Sequence, residues 1–219
     1  MRRLFVFRPE PAASRTVARA KELGLDAVAL PLFKLEPIAW NAPDEQAFDA
    51  ILLTSANAVA MAGDALQQLR ALPVHAVGEA TATAAEVAGF GVASRGRGGV
   101  EDLLANVPPA TRLLHLCGED RRPTEKAQQP ISFVPVYRAA TTDAPDLATL
   151  DDGVALVHSP RAGRRLAELV PETRRAGVCL AAISAAAADA AGTGWATVRI
   201  ASAPTDEALL ALAARLCET

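Results

Sequence analysis

Hydrophobic positions fall into short apolar runs that alternate with stretches in which apolar residues recur at helical spacing. Runs of this length are typical of buried strands, and the amphipathic stretches between them indicate helices. Strands are predicted at 4–7, 27–30, 48–54, 75–77, near 92, at 113–116, 131–137, from 155, at 180–183 and at 197–200. Helices are predicted at 14–23, 56–69, 80–88, 100–105, 162–169, 185–191 and 206–217.

A pattern of strand, Ser or Gly, then helix occurs twice, about a hundred residues apart. Residues 48–59 are echoed by 153–163, and residues 74–85 are echoed by 180–191. A period this long indicates a duplicated half rather than a solenoid repeat, because each copy holds several elements. The strict alternation of strand and helix predicts parallel sheets flanked by helices.

The chain crosses between the two copies at two extended segments. Pro31 and Pro37 stand around Phe33 and Leu35, so residues 32–38 are an extended segment that leaves the first unit, and the chain crosses back after the strand at 131–137. We therefore predict an α/β protein of two similar parallel-sheet, flavodoxin-like domains. The first domain is discontinuous (1–34 and 139–219), and the second covers 38–134.

Two smaller expectations follow from the same pattern. The two crossings form a hinge around which the domains open and close. Residues 118–130 are too short and too rich in proline for a full crossover helix, so a loop or a single turn is expected there.

Composition narrows the class of protein. Hydrophobic residues make up 51% of the chain, and the net charge of −3 argues against broad binding to nucleic acid or to anionic membranes. The apolar run at the N-terminus stops at Arg8, too early for a signal peptide, and no stretch has the character of a membrane span. The odd number of cysteines, three, suits a reducing compartment and forms no metal motif. We expect a cytoplasmic protein whose cysteines are buried.

Ligands of open parallel sheets bind beyond the carboxyl ends of the strands, where helix N-termini present unpaired N–H groups. Ser55, Ser159 and Ser184 suit N-caps, and Pro160 suits a first helical turn. A ligand rich in carboxylates or phosphates would fit such ends. The strand ends are Arg8, Thr54-Ser55, Gly78-Glu79, Gly118-Glu119, Ser159-Pro160 and Ser184-Ala185.

Taken in order and spacing, these segments resemble the uroporphyrinogen-III synthase family over nearly the whole chain. The matching segments are Arg8-Pro9, Phe48-Asp49, Thr54-Ser55-Ala56-Asn57-Ala58-Val59, Ala76-Val77-Gly78-Glu79-Ala80-Thr81-Ala82 with Gly89-Phe90, Val136-Tyr137-Arg138, Ser159-Pro160 and Ala182-Ile183-Ser184. The resemblance implies two α/β domains, a two-stranded connector with strands at about 32–38 and 133–138, and a substrate held in the cleft. It also implies an enzyme that needs no cofactor and no metal.

The reaction that the resemblance implies is the cyclisation of hydroxymethylbilane, a linear tetrapyrrole polycarboxylate. Loss of the ring A hydroxyl gives an azafulvene cation, which the substituted carbon of ring D attacks to form a spiro intermediate. Fragmentation and reclosure then invert ring D. Because the substrate also closes unaided to the symmetric isomer, the enzyme's task is mainly orientation and stabilisation of developing charge.

The resemblance assigns candidate roles to individual residues. Tyr137, the single tyrosine of the chain, matches a proposed general acid, with a connector aromatic that packs on the wall of the site as the alternative. Candidate substrate contacts at helix starts, which would equally serve as plain N-caps, are Thr54, Ser55, Ala56, Gly78, Thr81, Ser159 and Ser184. The second copy has Ala187 where the first has Thr81, so one hydroxyl contact is missing there.

Charged residues and histidines have two interpretations each. Arg8, Arg138 and Arg161 lie near strand ends and either contact the substrate or are solvated surface charges. The loop arginines are expected to be surface charges; they are Arg95, Arg97, Arg121 and Arg122. The histidines, expected in the sheets rather than as metal ligands, are His75, His115 and His158.

Two other functions compete with the synthase. A two-lobed α/β small-molecule binding module without catalysis would use the same architecture. A flavodoxin-like redox or nucleotide protein would require a phosphate loop after the first strand, where Arg8-Pro9-Glu10-Pro11 stands instead. We expect a monomer that binds hydroxymethylbilane and neither nucleic acid nor membrane.

Overall fold

The structure is a computed structural model that describes residues 1–96, 99–121, 124 and 126–218, so Arg97 and Arg122 lie outside the described residues. The strands are β1 (Leu4–Val6), β2 (Ala27–Ala29), β3 (Phe33–Pro37), β4 (Ala50–Leu53), β5 (Val74–Val77), β6 (Val92–Gly96), β7 (Leu113–Gly118), β8 (Ile131–Thr141), β9 (Val154–Val157), β10 (Cys179–Ala182) and β11 (Thr197–Ile200). The helices are α1 (Ala12–Glu22), α2 (Ala56–Met61), α3 (Glu79–Val87), α4 (Val100–Leu104), α5 (Pro160–Leu169), α6 (Glu172–Arg175), α7 (Ala185–Ala191) and α8 (Asp206–Glu218).

The chain divides into two compact units, which are described one at a time. The first unit contains Met1–Lys34 and Ala140–Thr219, and the second contains Leu35–Ala139. Both β3 and β8 begin in one unit and end in the other. The backbone N–H of Ile38 donates to Val136 O, and that of Thr142 donates to Leu32 O, so the two connecting strands run antiparallel.

The first unit contains a five-stranded sheet in the order β11, β10, β9, β1, β2. Its neighbouring strands are parallel, with Leu4 in register with both Ala27 and Val154. Residues from α1 and α8 pack on one face of this sheet to form an apolar core. Strand order reverses between β1 and β9, so their carboxyl ends form the topological switch point of this sheet.

Helices α5 and α7 approach each other closely in the first unit. Gly163 in α5 makes this approach possible, because a Cβ atom there would lie 2.6 Å from the carbonyl oxygen of Ala187. The small residues of these helices therefore fix their packing distance.

The second unit contains a sheet in the order β3, β8, β7, β4, β5, β6. The four neighbouring pairs from β8 to β6 are parallel. Here the order reverses between β4 and β7, which places the switch point at Thr54 and Gly118. The two sheets together confirm the predicted α/β class with two similar parallel-sheet units.

Most predicted elements are present, with three differences. The helix predicted at 56–69 is broken: α2 ends at Met61, Gly63 adopts a φ of +64°, and a 3-10 helix follows over Asp64–Leu69. A left-handed backbone at a glycine ends an α-helix, which explains the break. The sequence pattern did not predict α6, or the 3-10 helices Glu45–Ala47 and Ala148–Leu150.

The loop or single turn expected within 118–130 agrees with the described residues. The N–H of Ala127 donates to the carbonyl of Thr124 at 3.1 Å, and no helix forms there among the residues that the structure describes.

Candidate functional site

A cavity of about 350 Å³ lies at the carboxyl ends of the strands in the second unit. It spans the switch point between β4 and β7, the position at which open α/β sheets bind ligands. Its lining residues belong to strand ends, helix starts and the loop after β7. They include Thr54, Ser55, Gly99, His115, Gly118, Arg121 and Tyr137.

His115 is the most buried polar side chain of the cavity, with 2% of its surface exposed. Its Nε2 lies 3.1 Å from Thr54 Oγ1, and its ring contacts Phe133 with centroids 5.5 Å apart. Burial, aided by the charge of Arg121, lowers the pKa of His115 to about 4. His115 is therefore a neutral imidazole at neutral pH. Its Nδ1 has no hydrogen-bond partner in the part of the chain that the structure describes.

Arg121 follows β7 and brings a positive charge to the cavity. Its guanidinium lies 4.1 Å from the centroid of the Phe133 ring, a cation–π contact. Arg121 is exposed, as expected for a loop arginine, but it also lines the cavity, a role that the sequence analysis missed. No signal in the sequence identified this contact, because it depends on the pairing of β7 with β8, which brings Phe133 beside His115.

Tyr137 lies on β8 at the rim of the cavity, and its ring covers the backbone of Gly118. A Cβ atom added at Gly118 would lie 2.9 Å from Tyr137 Cζ and 3.1 Å from its hydroxyl oxygen. Tyr137 is half-buried, so one part of the ring packs on the core while the phenol remains near the cavity. The structure thus brings Tyr137 together with Thr54 and His115.

Other candidates from the second unit lie at or near this sheet end. Ser55 caps α2, since its hydroxyl accepts from Asn57 N–H at 3.2 Å, and Ala56 begins that helix. Gly78 precedes α3 with a φ of +85°, a conformation that favours glycine. Thr81 is 5% exposed within α3 and does not line the cavity. Arg138 is exposed on β8 and pairs with Glu36 at 3.3 Å.

The switch point of the first unit carries a partly buried charge cluster instead. Asp206, at the start of α8, accepts from Arg8 at 3.1 Å, from Thr16 at 2.9 Å and from Arg19 at 3.1 Å. Its Oδ1 also lies 3.0 Å from His158 Nε2. Burial alone would raise the pKa of Asp206, but hydrogen bonds with His158 and Thr16 and the charge of Arg8 lower it to about 2. Arg8 is thus occupied by a structural ion pair.

The remaining first-unit candidates sit at helix starts. The hydroxyl of Ser159 accepts from Ala162 N–H at 3.2 Å, and that of Ser184 accepts from Ala187 N–H at 3.3 Å. The three predicted serine N-caps are therefore confirmed, as is Pro160 in the first turn of α5. Arg161 stacks over the ring of Phe33 at 4.5 Å.

Features typical of metal sites and membrane spans are missing from the described part of the chain. Among the described residues no group of three or more His, Cys, Asp or Glu side chains could hold a metal ion. The three cysteines are buried and free. No helix in the described ranges is both long enough and apolar enough to cross a membrane.

The fold and the cavity define a class: a two-unit α/β protein whose ligand site lies at a parallel-sheet switch point. A family model described as uroporphyrinogen-III synthase HemD matches residues 14–211. A uroporphyrinogen-III synthetase from Helicobacter pylori has a similar structure, with a TM-score of 0.68, 18% identity, and coverage of 99% of this chain and 100% of that one. A mutant uroporphyrinogen III synthase from Thermus thermophilus gives a TM-score of 0.51 at 18% identity, with 99% of each chain covered. A search of curated proteins gave no match.

The chain belongs to the uroporphyrinogen-III synthase family, because the family model covers well over half of it. The family comprises cyclising lyases of tetrapyrrole biosynthesis, which act on hydroxymethylbilane. The function of the chain is therefore the cyclisation of this substrate to uroporphyrinogen III, with inversion of ring D and loss of water.

Proposed function

We propose that this cyclisation uses the cavity of the second unit, with Tyr137 as the proton donor to the leaving ring A hydroxyl. The observation that carries the proposal is the position of Tyr137 on Gly118, at the rim of a cavity that also contains Thr54, His115 and Arg121. Donation of the phenol proton lets the hydroxyl depart as water and leaves a carbocation stabilised by the pyrrole nitrogen. The donor has to reach one oxygen atom, so its placement decides the rate.

The substrate's carboxylates call for several donors. Arg121 and the hydroxyls of Thr54 and Ser55 lie on the cavity, and the first N–H groups of α2 adjoin it at Ala56. Charge-assisted hydrogen bonds from such groups are the strong ones that polycarboxylates select. His115 is neutral at neutral pH, so the positive charge among these lining side chains comes from Arg121.

Further substrate contacts are proposed from the helix starts and from three arginines. Arg8 and Arg138 are already paired with carboxylates, Asp206 and Glu36, so a substrate carboxylate would have to displace a partner to bind them. At Ser159 and Ser184 of the first unit, the proposed donors are the adjacent backbone N–H groups. The proposed set comprises Arg8, Gly78, Thr81, Arg138, Ser159, Arg161 and Ser184.

We also propose that the protein acts as a cytoplasmic monomer without metal or cofactor. The odd cysteine count and the modest net charge of −3 support a reducing compartment and no polyanionic partner. Sedimentation of the purified protein should give the mass of one chain, and dialysis against a chelator should leave turnover unchanged. A dimer, or activity restored only by added metal, would contradict this part.

The test of the catalytic role is product analysis of Tyr137→Phe with hydroxymethylbilane. Loss of a general acid lowers kcat by about 100-fold or more, so the type I isomer from uncatalysed closure should come to dominate over type III. The variant keeps the aromatic ring, so its melting temperature should match that of the wild type. Tyr137→Leu, which also removes the ring, is the comparison that separates hydroxyl from packing. Wild-type kcat in Tyr137→Phe would leave Tyr137 with a packing role only.

A further inference from the structure

We propose that Gly118 and a β-bulge in β8 together position Tyr137 for proton transfer, so that Gly118 is a positioning residue of this enzyme. The inference rests on the proposed function of Tyr137 and extends it to a second residue. Two independent features of the described structure support it: the register of β8 against β7, and the contact between the Tyr137 ring and Gly118.

The register of the two strands shifts by one residue immediately before Tyr137. Cys117 pairs with Pro135, but the next residue of β7, Gly118, pairs with Tyr137, so Val136 is the extra residue of a bulge. Bulges bend a strand and turn a side chain to the other face, and they are common beside active sites. Pro135 suits this place, because a proline inside a strand with two neighbours is tolerated at a bulge.

Side-chain directions agree with this interpretation. Successive residues of a regular strand point to opposite faces of the sheet. Yet Val136 and Tyr137 both pack against the same apolar cluster, which includes Leu114 and Leu116. Phe133, by contrast, contacts His115 of the cavity. The bulge therefore turns Tyr137 toward the backbone of β7 at its carboxyl end.

Gly118 provides the surface on which the phenol rests. A Cβ atom there would lie 2.9 Å from Cζ, 3.0 Å from Cε2 and 3.1 Å from the hydroxyl oxygen of Tyr137. Separations this short are not tolerated between carbon atoms at van der Waals contact. Any larger residue at this position would thus push away the end of the ring that carries the acidic proton. No positive φ is recorded at Gly118, so space and not backbone conformation requires the glycine.

The strand end itself is well held, so the ring is the part that must yield. Gly118 is buried at the end of β7, and the N–H of the following Glu119 donates to Tyr137 O at 2.9 Å. The half-buried phenol is the far end of a side chain, whereas this backbone is held by the hydrogen bonds of the strand ladder. A methyl group at Gly118 is expected to displace the Tyr137 hydroxyl by several tenths of an ångström and to leave the sheet intact. Proton transfer is sensitive to displacements of this size.

The experiment compares Gly118→Ala, Tyr137→Phe and the double variant, with Gly91→Ala as the matched control. A Cβ atom at Gly91 meets nothing within 4 Å, so that variant tests the general cost of replacing a glycine. We expect Gly118→Ala to lower kcat by about 10-fold or more with little change in KM, because it disturbs a donor used in the transition state. Gly91→Ala should retain the wild-type kcat. The double variant should have nearly the same kcat as Tyr137→Phe alone.

A second measurement reports the ring directly. Tyr137 is the single tyrosine of the chain, so incorporation of ¹³C-labelled tyrosine gives one ring spin system. Its resonances should move in Gly118→Ala and stay in place in Gly91→Ala. This measurement needs no turnover and separates ring displacement from a general loss of folding, which thermal melting would detect.

The outcomes separate the two proposals. If Tyr137→Phe is inactive while Gly118→Ala has wild-type kcat and unchanged ring resonances, the positioning role of Gly118 is wrong and the proton-donor role stands. If the losses in kcat multiply in the double variant, Gly118 acts on something other than the Tyr137 hydroxyl, and the inference fails. If Tyr137→Phe is fully active, the proposed function of Tyr137 fails, whatever the ring resonances show in Gly118→Ala.

Discussion

The switch points of the two sheets share the same backbone arrangement, but one opens onto a cavity and the other holds a cluster of charged side chains. In each, a single residue separates the end of a strand from a serine N-cap; that residue is Thr54 in the second unit and His158 in the first. Thr54 faces a cavity of about 350 Å³. His158 instead contacts Asp206, which also binds Arg8 and Thr16. A single carboxylate from the final helix thus converts a potential ligand position into a structural ion cluster.

The difference shows which part of a duplicated unit decides whether a ligand position stays open. The backbone supplies the same strand ends and the same capped helix starts in both copies. The side chain brought in by α8 decides the outcome in the first unit, because Asp206 satisfies cations that would otherwise attract a ligand. Sequence repeats therefore predict where ligand sites can form. Side chains from elements outside the repeat, such as Asp206 of α8, decide which of these positions are filled by the protein itself.

The largest effect is expected from Asp206→Asn. This change leaves Arg8, whose side chain is 29% exposed, beside a neutral amide. Removing one partner of a largely buried pair costs about 4 kcal/mol in the free energy of unfolding. Because the pKa of Asp206 is lowered to about 2, its contribution is present above about pH 4 and lost as the pH falls toward 2. Urea denaturation at neutral and at acidic pH measures both effects.

The matched control is Asp26→Asn, which breaks the exposed pair between Arg3 and Asp26 in the same unit. An exposed pair contributes less than about 1 kcal/mol, so this variant should be close to wild type. Equal losses in the two variants would mean that the Asp206 cluster is no more than a surface feature, and the contrast between the two switch points would lose its energetic basis.

The second prediction concerns the pH dependence of stability in the other unit. The pKa of His115 is lowered from its ordinary 6.5 to about 4, since burial disfavours the charged ring. Between pH 6.5 and about pH 4, His115 is protonated in the unfolded chain but not in the folded chain. The stabilising contribution of the neutral ring is therefore complete above pH 6.5 and declines as the pH falls to about 4, by up to about 3 kcal/mol.

His115→Gln is the variant that isolates this contribution, because glutamine does not titrate and can still reach Thr54. Burial also lowers the pKa values of His75 and His158, so the wild-type protein contains three overlapping contributions. Urea denaturation across the window from about pH 7 to about pH 4 should therefore show a shallower dependence of the unfolding free energy on pH in His115→Gln than in wild type. An unchanged slope would show that His115 is protonated in the folded protein near its ordinary pKa.

The sequence predicted the fold more completely than the site. Alternation of apolar runs and amphipathic stretches is a local signal, so the strands, the parallel sheets and the serine caps of α2, α5 and α7 were predicted. The break at Gly63 was missed, because a glycine within a helical pattern can either end a helix or be tolerated in it.

Parts of the site depend on contacts between distant segments. Asp206 is about 200 residues from Arg8 in the chain, and no periodic pattern links them. The sequence marks Arg121 only as a loop charge, because its contact with the Phe133 ring joins two segments that are separate in the chain. The bulge that turns Tyr137 onto Gly118 is a one-residue register shift, which apolar alternation alone does not specify. Helix starts could be predicted, whereas side chains meeting across strands required the structure.

The smallest effect, and the sharpest test of the comparison, is expected from a pair of cap variants, Ser55→Ala and Ser159→Ala. Each removes one side-chain hydrogen bond to a helix N–H, which costs about 1 kcal/mol in the free energy of unfolding. Of the two serines, Ser55 lines the cavity, so Ser55→Ala alone should raise KM for hydroxymethylbilane, by several-fold. Steady-state kinetics beside thermal melts measure both quantities. A rise in KM of the same size in Ser159→Ala would show that the substrate also contacts the hydroxyl at the switch point of the first unit. The two switch points would then not differ in ligand binding.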